Sequence, residues 1–216
     1  MFSRDFILHK LKPTTLELSF RTQDVYFTKR FKKMKCEARG CTTSTLIVPY
    51  CRYHTQQLLK CTVAPTSLKN VSGKGLFAAF PESFQPRHDN VVFRKNDIIA
   101  PYIGEVTNKF HIDQQYGINT TARYALGFLE EDNVVIDSAV VRSTGAYANT
   151  LYGGDSTTLK TYPIVNACFT YTDPIHFPVL TATTDILDGE EIFCDYGVGR
   201  FFVDYDGAEW KVYRVH

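Results

Sequence analysis

The sequence predicts a mostly β protein with short helices, and three observations support this fold class. After residue 65 the chain consists of short runs rich in β-branched and aromatic residues, four to ten residues long, such as "NVVIDSAVV" and "FPVLTATT". Most of these runs are bounded by Gly, Asp, Asn or Pro, which is typical of strands joined by turns. No segment after residue 65 keeps the 3.6-residue apolar period of a long helix, and "YCRYHTQQLLK" (50–60) is the best candidate for a short one.

The composition is that of a folded protein with two electrically different parts. Hydrophobic residues make up 44% and charged residues 22% of the 216 residues, which is ordinary for a chain with a buried core. Residues 1–70 hold 13 Lys or Arg against 4 Asp or Glu, whereas residues 71–216 hold 11 against 19, so the two parts carry +9 and −8. An acidic part favours a basic partner by electrostatic steering.

The sequence predicts an intracellular protein with no membrane partner. No apolar run approaches the roughly 20 residues needed to cross a bilayer. The first twenty residues carry charges inside their apolar stretches and do not form a secretory signal. Six cysteines without an export signal therefore indicate a reducing compartment, in which thiols stay free or bind metal.

The first feature along the chain is a basic run, "KRFKKMK" (29–35), directly before a cysteine cluster. Lysine and arginine side chains neutralise phosphates, so weak contact with nucleic acid is one interpretation of this run. A solvated basic arm is the other. We assign residues 1–65 to a basic N-terminal region that contains the cluster (36–54).

The cysteine cluster predicts a structural zinc site. Two close pairs of soft or borderline ligands within 19 residues suit tetrahedral zinc, and metal binding would supply the folding energy that so short a segment cannot obtain from a core. The predicted ligands are Cys36, Cys41, Cys51 and His54. Cys61 is an alternative to His54 as the fourth ligand. The segment resembles one half of the zinc fingers with three cysteines and one histidine found in some chromatin-associated proteins.

Four separated pieces then follow in a characteristic order. They are "SGKGLFAA" (72–79), "DIIAPYIGE" (97–105), "AYANT" (146–150) with "NACF" (166–169), and "DGEEIFCDYG" (188–197). Together they resemble the SET domain, the fold of a large family of S-adenosylmethionine-dependent protein lysine methyltransferases. The resemblance implies several small sheets (a β-clip) and a C-terminal pseudoknot in residues 66–198, followed by an aromatic tail (199–216) that closes the lysine channel.

The resemblance implies a site for S-adenosylmethionine. In "GKG", Gly73 and Gly75 let the backbone approach a ligand closely. The backbone of 74–76 would then hold the amino-acid end of the cofactor. The implied cofactor-binding residues are Lys74, Gly75, Leu76, Tyr147, Asn149, Asn166 and Tyr196.

The segment "AYANT" departs from the family pattern Arg-Phe-x-Asn-His. Ala146 stands where arginine is usual and Thr150 where histidine is usual, and "LYGGDSTTLKTYPIV" (151–165) is inserted before Asn166. Loss of the histidine removes one contact to the cofactor, so a reduced affinity is expected.

The resemblance also implies the catalytic residues. Tyr196 would place its hydroxyl beside the methyl group under transfer, and Tyr102 of "YIGE" would line the channel for the target lysine. A core tyrosine is the alternative interpretation of Tyr102. The channel would be completed by Phe169, Cys194, Phe201 and Phe202. Because Cys194 replaces a Phe or Tyr common in the family, we hypothesise room for di- or trimethylation.

The function implied is protein lysine N-methylation of a histone or another basic protein tail, in the nucleus if the protein is eukaryotic and histone-directed. The alternative is a catalytically inactive, zinc-containing chromatin-binding module of the same fold. The missing arginine and histidine favour the second interpretation, whereas "YIGE" and "CDYG" favour the first.

Overall fold

The computed structural model describes residues 32–68, 73–84, 89–116, 124–127, 134–150, 165–172, 177–195, 201–205 and 210–214. For residues 116, 177, 195 and the last two ranges, only the backbone is described. These residues form two compact units. The first unit comprises the described residues up to Cys51 and Tyr102–Ala146, and the second comprises Arg52–Pro101 and the described residues from Tyr147 onward.

The described chain is built of short strands, two α-helices of eight residues each and a 3₁₀ turn at Gly145–Tyr147. In chain order the helices and strands are β1 (Met34–Lys35), β2 (Ser44–Thr45), α1 (Arg52–Leu59), β3 (Cys61–Pro65), β4 (Lys74–Ala78), β5 (Val91–Phe93), β6 (Ile98–Pro101), β7 (Glu105–Asn108), α2 (Lys109–Tyr116), β8 (Ala125–Gly127), β9 (Val134–Asp137), β10 (Ala167–Thr172), β11 (Phe177–Ala182), β12 (Ile186–Leu187), β13 (Glu191–Ile192), β14 (Cys194–Asp195), β15 (Phe201–Tyr205) and β16 (Trp210–Arg214).

The first unit contains two small antiparallel sheets, with strand orders β1-β2 and β7-β9-β8. Their buried apolar side chains include Ile103, Leu126 and Ile136. The segment after β2 is bonded to the loop after β9: Val48 accepts hydrogen bonds from the backbone N (2.9 Å) and the Oγ1 (3.1 Å) of Thr144. This unit therefore holds the loop that precedes the 3₁₀ turn.

The second unit contains four sheets, with orders β14-β10-β11-β6, β13-β4-β3, β12-β5 and β15-β16. All strand pairs are antiparallel except β10 with β14. The core contains Leu76, Leu180, Ile186 and Ile192, all with 0% exposure. Each such side chain contributes about 1.5–3 kcal/mol by leaving water, which holds small sheets together that would be marginal alone.

The predicted fold class is confirmed: the chain is mostly β, with short helices, several small sheets and a cysteine and histidine cluster. The helix expected within 50–60 is α1. The implied pseudoknot of the stretch 146–169 with the C-terminal segment also includes residues 151–164 and 196–200, which lie outside the described residues. The division into regions 1–65, 66–198 and 199–216 stays a prediction. Among the described residues, no helix is long and apolar enough to span a membrane.

Helix α2 was not predicted, because its sequence "KFHIDQQY" places apolar side chains without a helical period. Ile112 is buried whereas Phe110 is 65% exposed. The start of α2 does carry a local signal: Asn108 Oδ1 accepts a hydrogen bond from His111 N at 2.9 Å, as an N-cap residue does.

Candidate functional site

The four predicted zinc ligands come together within one short segment of the chain. The ligand atoms of all four lie within 4.8 Å of one another, and the residues are Cys36, Cys41, Cys51 and His54. Zinc bonds of about 2.3 Å to sulfur and about 2.0–2.1 Å to nitrogen place tetrahedral ligand atoms about 3.4–3.8 Å apart. The donor set and its spread therefore fit a tetrahedral zinc ion after small adjustments.

Local structure explains why this cluster forms. Cys36 follows β1 directly, and Cys51 directly precedes α1. His54 lies in the first turn of α1. Cys51 N donates a hydrogen bond to Cys36 Sγ at 3.2 Å, which ties the two ends of the segment together. Hydrogen bonds with the side chain and backbone of Thr43 lower the pKa of Cys41 to about 6, so this thiol ionises readily. Burial raises the pKa of Cys36, which a bound cation would counter.

Cys61 is not one of the clustered residues. It lies on β3 opposite Ala78, has 0% exposure, and burial raises the pKa of its thiol. A fully buried neutral thiol in a strand is a core side chain. Of the two candidates for the fourth ligand, the structure places His54 and not Cys61 in the cluster.

An open groove of about 530 Å³ lies beside the cluster. It is lined by residues from Met34 to Thr42 and by none of the residues implied for the cofactor. The walls of a cofactor pocket would include 151–164 and Tyr196, which lie outside the described residues. The groove is thus a feature of the cluster.

Gly75 and Leu76 are buried on β4, and Lys74 at its start is exposed. β4 is the central strand between β3 and β13. A Cβ added at Gly75 would lie 2.6 Å from Cδ of Glu191, whereas one at Gly73 would meet nothing within 4 Å. A side chain at position 75 would therefore displace the Glu191 carboxylate, which fills that space.

Glu191 was not singled out from the sequence, yet its carboxylate is at the centre of this region. The residue is only 6% exposed. Its oxygens accept hydrogen bonds from Thr66 Oγ1 (2.8 Å) and Asn149 Nδ2 (2.9 Å). They also accept from Ser67 N (2.6 Å) and Ser67 Oγ (2.5 Å). The sequence offered one local signal, an acidic residue within an apolar strand run.

Asn166 bonds to the C-terminal segment in the manner of a peptide group. Its Nδ2 donates to the Glu191 carbonyl at 3.0 Å, and its Oδ1 accepts from Phe193 N at 2.9 Å. The backbone N groups of Asn166 and Ala167 both donate to the Phe193 carbonyl, at 3.1 and 3.0 Å. The side chain therefore extends the parallel pairing that β10 makes with β14.

Asn149 bonds to the same segment from the other side. Its carbonyl accepts from Cys194 N at 2.8 Å, and a parallel bridge joins Asn149 to Phe193. Residues 193–195 thus lie between Asn149 and β10. The next residue in the chain is Tyr196, the predicted catalytic residue, which lies outside the described residues.

The departures from the family pattern have visible consequences. Ala146 is 8% exposed. Tyr147 is half-buried at the end of the 3₁₀ turn. Thr150 Oγ1 is buried and has no hydrogen-bond partner among the described residues. Thr150 stands where the SET pattern has histidine, and a ligand could bond to its hydroxyl.

Tyr102 is 5% exposed, and its hydroxyl donates to the Tyr124 carbonyl at 2.8 Å. The Arg142 guanidinium carbon lies 3.3 Å from the centroid of the Tyr124 ring, and Arg142 Nε donates to the Ser138 carbonyl at 2.9 Å. A buried arginine thus supports the turn that orients Tyr102.

The other predicted channel residues are on the second unit. Phe169 is half-buried on β10 opposite Leu180. Cys194 is 0% exposed on β14 opposite Ala167. Phe201 and Phe202 lie on β15, but their side chains lie outside the described part of the structure.

Comparison with known proteins gives matches among solved structures alone. No protein family and no curated protein matches this sequence. Two similar structures are from Chaetomium thermophilum. One is the crystal structure of polycomb repressive complex 2, with 19% identity and a TM-score of 0.46 over 70% of this chain and 16% of that chain. The other is that complex in an autoinhibited conformation bound to S-adenosylmethionine, with 21% identity and a TM-score of 0.44 over 63% of this chain and 15% of that chain.

A third similar structure is the same complex with H3K27me3 and H3K27M, at 20% identity and a TM-score of 0.45 over 64% of this chain and 14% of that one. The present chain thus spans a small fraction of the proteins that it matches. Likeness at this level carries no functional argument. The functional interpretation depends on the residues and contacts of this chain.

Proposed function

We propose that this protein is an S-adenosylmethionine-dependent protein lysine N-methyltransferase with a SET-type fold. The observation that carries the proposal is the position of residues 193–195 between Asn149 and β10. The segments "AYANT", "NACF" and "DGEEIFCDYG", which the resemblance assigns to one site, meet here through main-chain hydrogen bonds.

The cofactor would be held by the second unit. Its proposed contacts are the backbone of Lys74, Gly75 and Leu76, together with Tyr147, Asn149, Asn166 and Tyr196. Two atoms have no hydrogen-bond donor among the described residues and fit a polar ligand: the buried Thr150 Oγ1 and Asn149 Oδ1. When bound, S-adenosylmethionine supplies an electrophilic methyl group on a sulfonium.

The residues of the chain would contribute positioning and a dry environment. An amine attacks only when neutral, and a free lysine has a pKa of about 10.4, so a desolvated channel favours the reactive form. Tyr102, Phe169, Cys194, Phe201 and Phe202 are the proposed channel residues. Tyr196 would orient the reacting groups at near-attack distance.

Cys194 would influence how many methyl groups are transferred, because its side chain is smaller than a phenylalanine or tyrosine. We expect di- or trimethyl product. Mass spectrometry of a methylated peptide checks this, and a product that stays monomethylated at long incubation would contradict it.

The proposed substrate is a histone tail or another basic protein, which the acidic residues 71–216 would attract. A histone substrate would place the protein in the nucleus of a eukaryote. Zinc at Cys36, Cys41, Cys51 and His54 would be structural. The basic run 29–35, of which 32–35 are described, would add at most a weak contact to nucleic acid.

The test combines binding and turnover. Calorimetry with S-adenosylmethionine should detect binding, and a radiolabel assay over histones and a cell extract should detect a methylated protein. Tyr196→Phe should retain cofactor binding and lose most of the transfer. Transfer that is unchanged in this variant would refute the assigned site, and failure of the wild type to bind the cofactor would refute the enzyme.

A catalytically inactive, chromatin-binding module is the second candidate. Ala146 and Thr150 replace the family's arginine and histidine, and Asn166 uses its Nδ2 and Oδ1 on the main chain. The Asn166 side chain and the C-terminal segment are thus held together by bonds within the protein. Binding of histone peptides without binding of S-adenosylmethionine would support this second function.

A further inference from the structure

The Glu191 carboxylate joins three separate parts of the second unit. It accepts hydrogen bonds from Thr66 and Ser67, which follow β3, and from Asn149, which follows the 3₁₀ turn. Its own strand β13 pairs with β4. The space for the carboxylate exists because residue 75 is glycine.

This contact determines how the Asn149 amide is oriented. Nδ2 faces three oxygens: Glu191 Oε1 at 2.9 Å, the Lys74 carbonyl at 3.2 Å and Thr66 Oγ1 at 3.3 Å. Since a carboxylate and a carbonyl only accept hydrogen bonds, the amide nitrogen has to face them. The amide oxygen therefore faces away from Glu191.

We propose that Glu191 is a positioning residue that presents Asn149 Oδ1 to the ammonium group at the amino-acid end of the cofactor. This inference rests on the proposed function. Oδ1 is an acceptor, and none of the described residues donates to it. An acceptor in this position favours a cationic donor. The same amide donates through Nδ2 to the Lys74 carbonyl.

Glutamine at position 191 keeps the size of the side chain but can also donate a hydrogen bond. Because Ser67 N would keep the glutamine oxygen, the glutamine nitrogen would face Asn149 in place of a carboxylate oxygen. The preference for Oδ1 toward the cofactor would be weakened, since only the Lys74 carbonyl would still favour Nδ2 on this side. The expected effect is specific to ligands that carry the ammonium group. If Glu191 served only to hold the fold, the substitution would lower the affinity for every ligand of the pocket equally.

The experiment compares two ligands by calorimetry: S-adenosylhomocysteine, which has the amino-acid end, and 5′-methylthioadenosine, which lacks it. Glu191→Gln should lower the affinity for S-adenosylhomocysteine about tenfold or more, as expected for losing one hydrogen bond to a charged group. The affinity for 5′-methylthioadenosine should change by less than about twofold. The matched control is Glu190→Gln. That neighbouring carboxylate is exposed and accepts from Leu187 N at 2.8 Å, so both affinities should be unchanged.

Equal weakening of both ligands by Glu191→Gln, or weakening of neither, would overturn the inference while the proposed function stands. A wild type that binds neither ligand would overturn the proposed function itself. If Glu191→Gln fails to fold by circular dichroism, Asn149→Ala replaces it. That variant should also lose affinity for S-adenosylhomocysteine alone, and an equal loss for both ligands would overturn the inference.

Discussion

At the scale of single residues, the candidate site is shaped by polar side chains that bond to the protein itself. Asn166 takes the place of a peptide group between β10 and the C-terminal segment. Glu191 bonds to Thr66, which follows β3, and to Asn149, which follows the 3₁₀ turn. Buried groups of this kind are stable only when their partners are in place, so small changes nearby have large effects.

Gly75→Ala should lower the free energy of unfolding by about 1–3 kcal/mol, since the new Cβ would overlap the Glu191 carboxylate and displace it from its partners. Urea denaturation measures this change. Gly73→Ala is the matched control, because a Cβ there meets nothing within 4 Å, and its effect should stay within about 0.5 kcal/mol. Equal effects of the two substitutions would show that Glu191 moves aside without cost.

At the scale of elements, the strand pair β7–β9 brings two carboxylic acids face to face. Glu105 lies opposite Asp137 in the register, and Asp137 is 5% exposed. Glu105 Oε1 is buried and has no hydrogen-bond partner among the described residues. The pKa of Glu105 is raised, mainly because the group is buried and to a smaller extent because of the negative charge of Asp137. The positive charge of Lys32 lowers it in part.

A raised pKa means that the folded state binds this proton more tightly than the unfolded state, so the ionised group lowers stability as the pH rises through the folded pKa. Glu105→Gln should therefore stabilise the protein at neutral pH. The gain should shrink as the pH falls, and it should level off below the ordinary value of 4.5, where the wild-type carboxyl becomes protonated in both states.

Urea denaturation of the variant and the wild type at a series of pH values measures this difference. Glu82→Gln, at an exposed position, is the control and should change stability by less than about 0.5 kcal/mol. A Glu105→Gln variant that is less stable than the wild type at neutral pH would contradict the prediction.

The segment from β1 to α1 depends on its four clustered ligands. Metal analysis of the purified protein should find one zinc per chain, and Cys51→Ser should lose it together with stability, because metal binding supplies folding free energy. Cys61→Ala is the control, since Cys61 lies in the core of β3 and should leave the zinc content unchanged. Loss of zinc in Cys61→Ala and not in His54→Ala would reverse the assignment of the fourth ligand.

At the scale of the whole molecule, charge is divided between the parts of the chain. The net charge is +1, yet residues 71–216 carry −8 and the preceding region +9. The acidic residues attract a basic ligand over a limited distance. Salt shortens that distance, because the Debye length falls from about 10 Å at 0.1 M to about 3 Å at 1 M.

If the substrate is a basic tail, its KM should rise several-fold as salt increases from about 50 mM to about 300 mM, with little change in kcat. Steady-state methylation of a lysine-rich peptide measures both constants. S-adenosylmethionine serves as the internal control, because its own KM should change less. A peptide KM that does not respond to salt would argue against electrostatic attraction of the substrate.

Local patterns in the sequence were sufficient for the fold class, for α1 and for the four clustered ligands. Strand runs and turn residues act over a few positions, and the zinc ligands lie within 19 residues, so their spacing already limits their geometry. Only the structure separates Cys61 from the clustered residues, because Cys61 lies on β3, where it pairs with Ala78. Helix α2 has no apolar period for the sequence to reveal.

The contacts of Glu191 depend on the folded chain. Thr66 and Asn149 are 125 and 42 residues away from it, and no local pattern specifies which polar groups meet across such distances. Nor could the sequence show that Gly75 makes room for this carboxylate, since a glycine in "GKG" is equally suited to a bound ligand. Residue types predicted which segments form the site. Packing of distant strands determined which of their polar atoms bond to the protein and which, like Asn149 Oδ1, have no donor in the described chain.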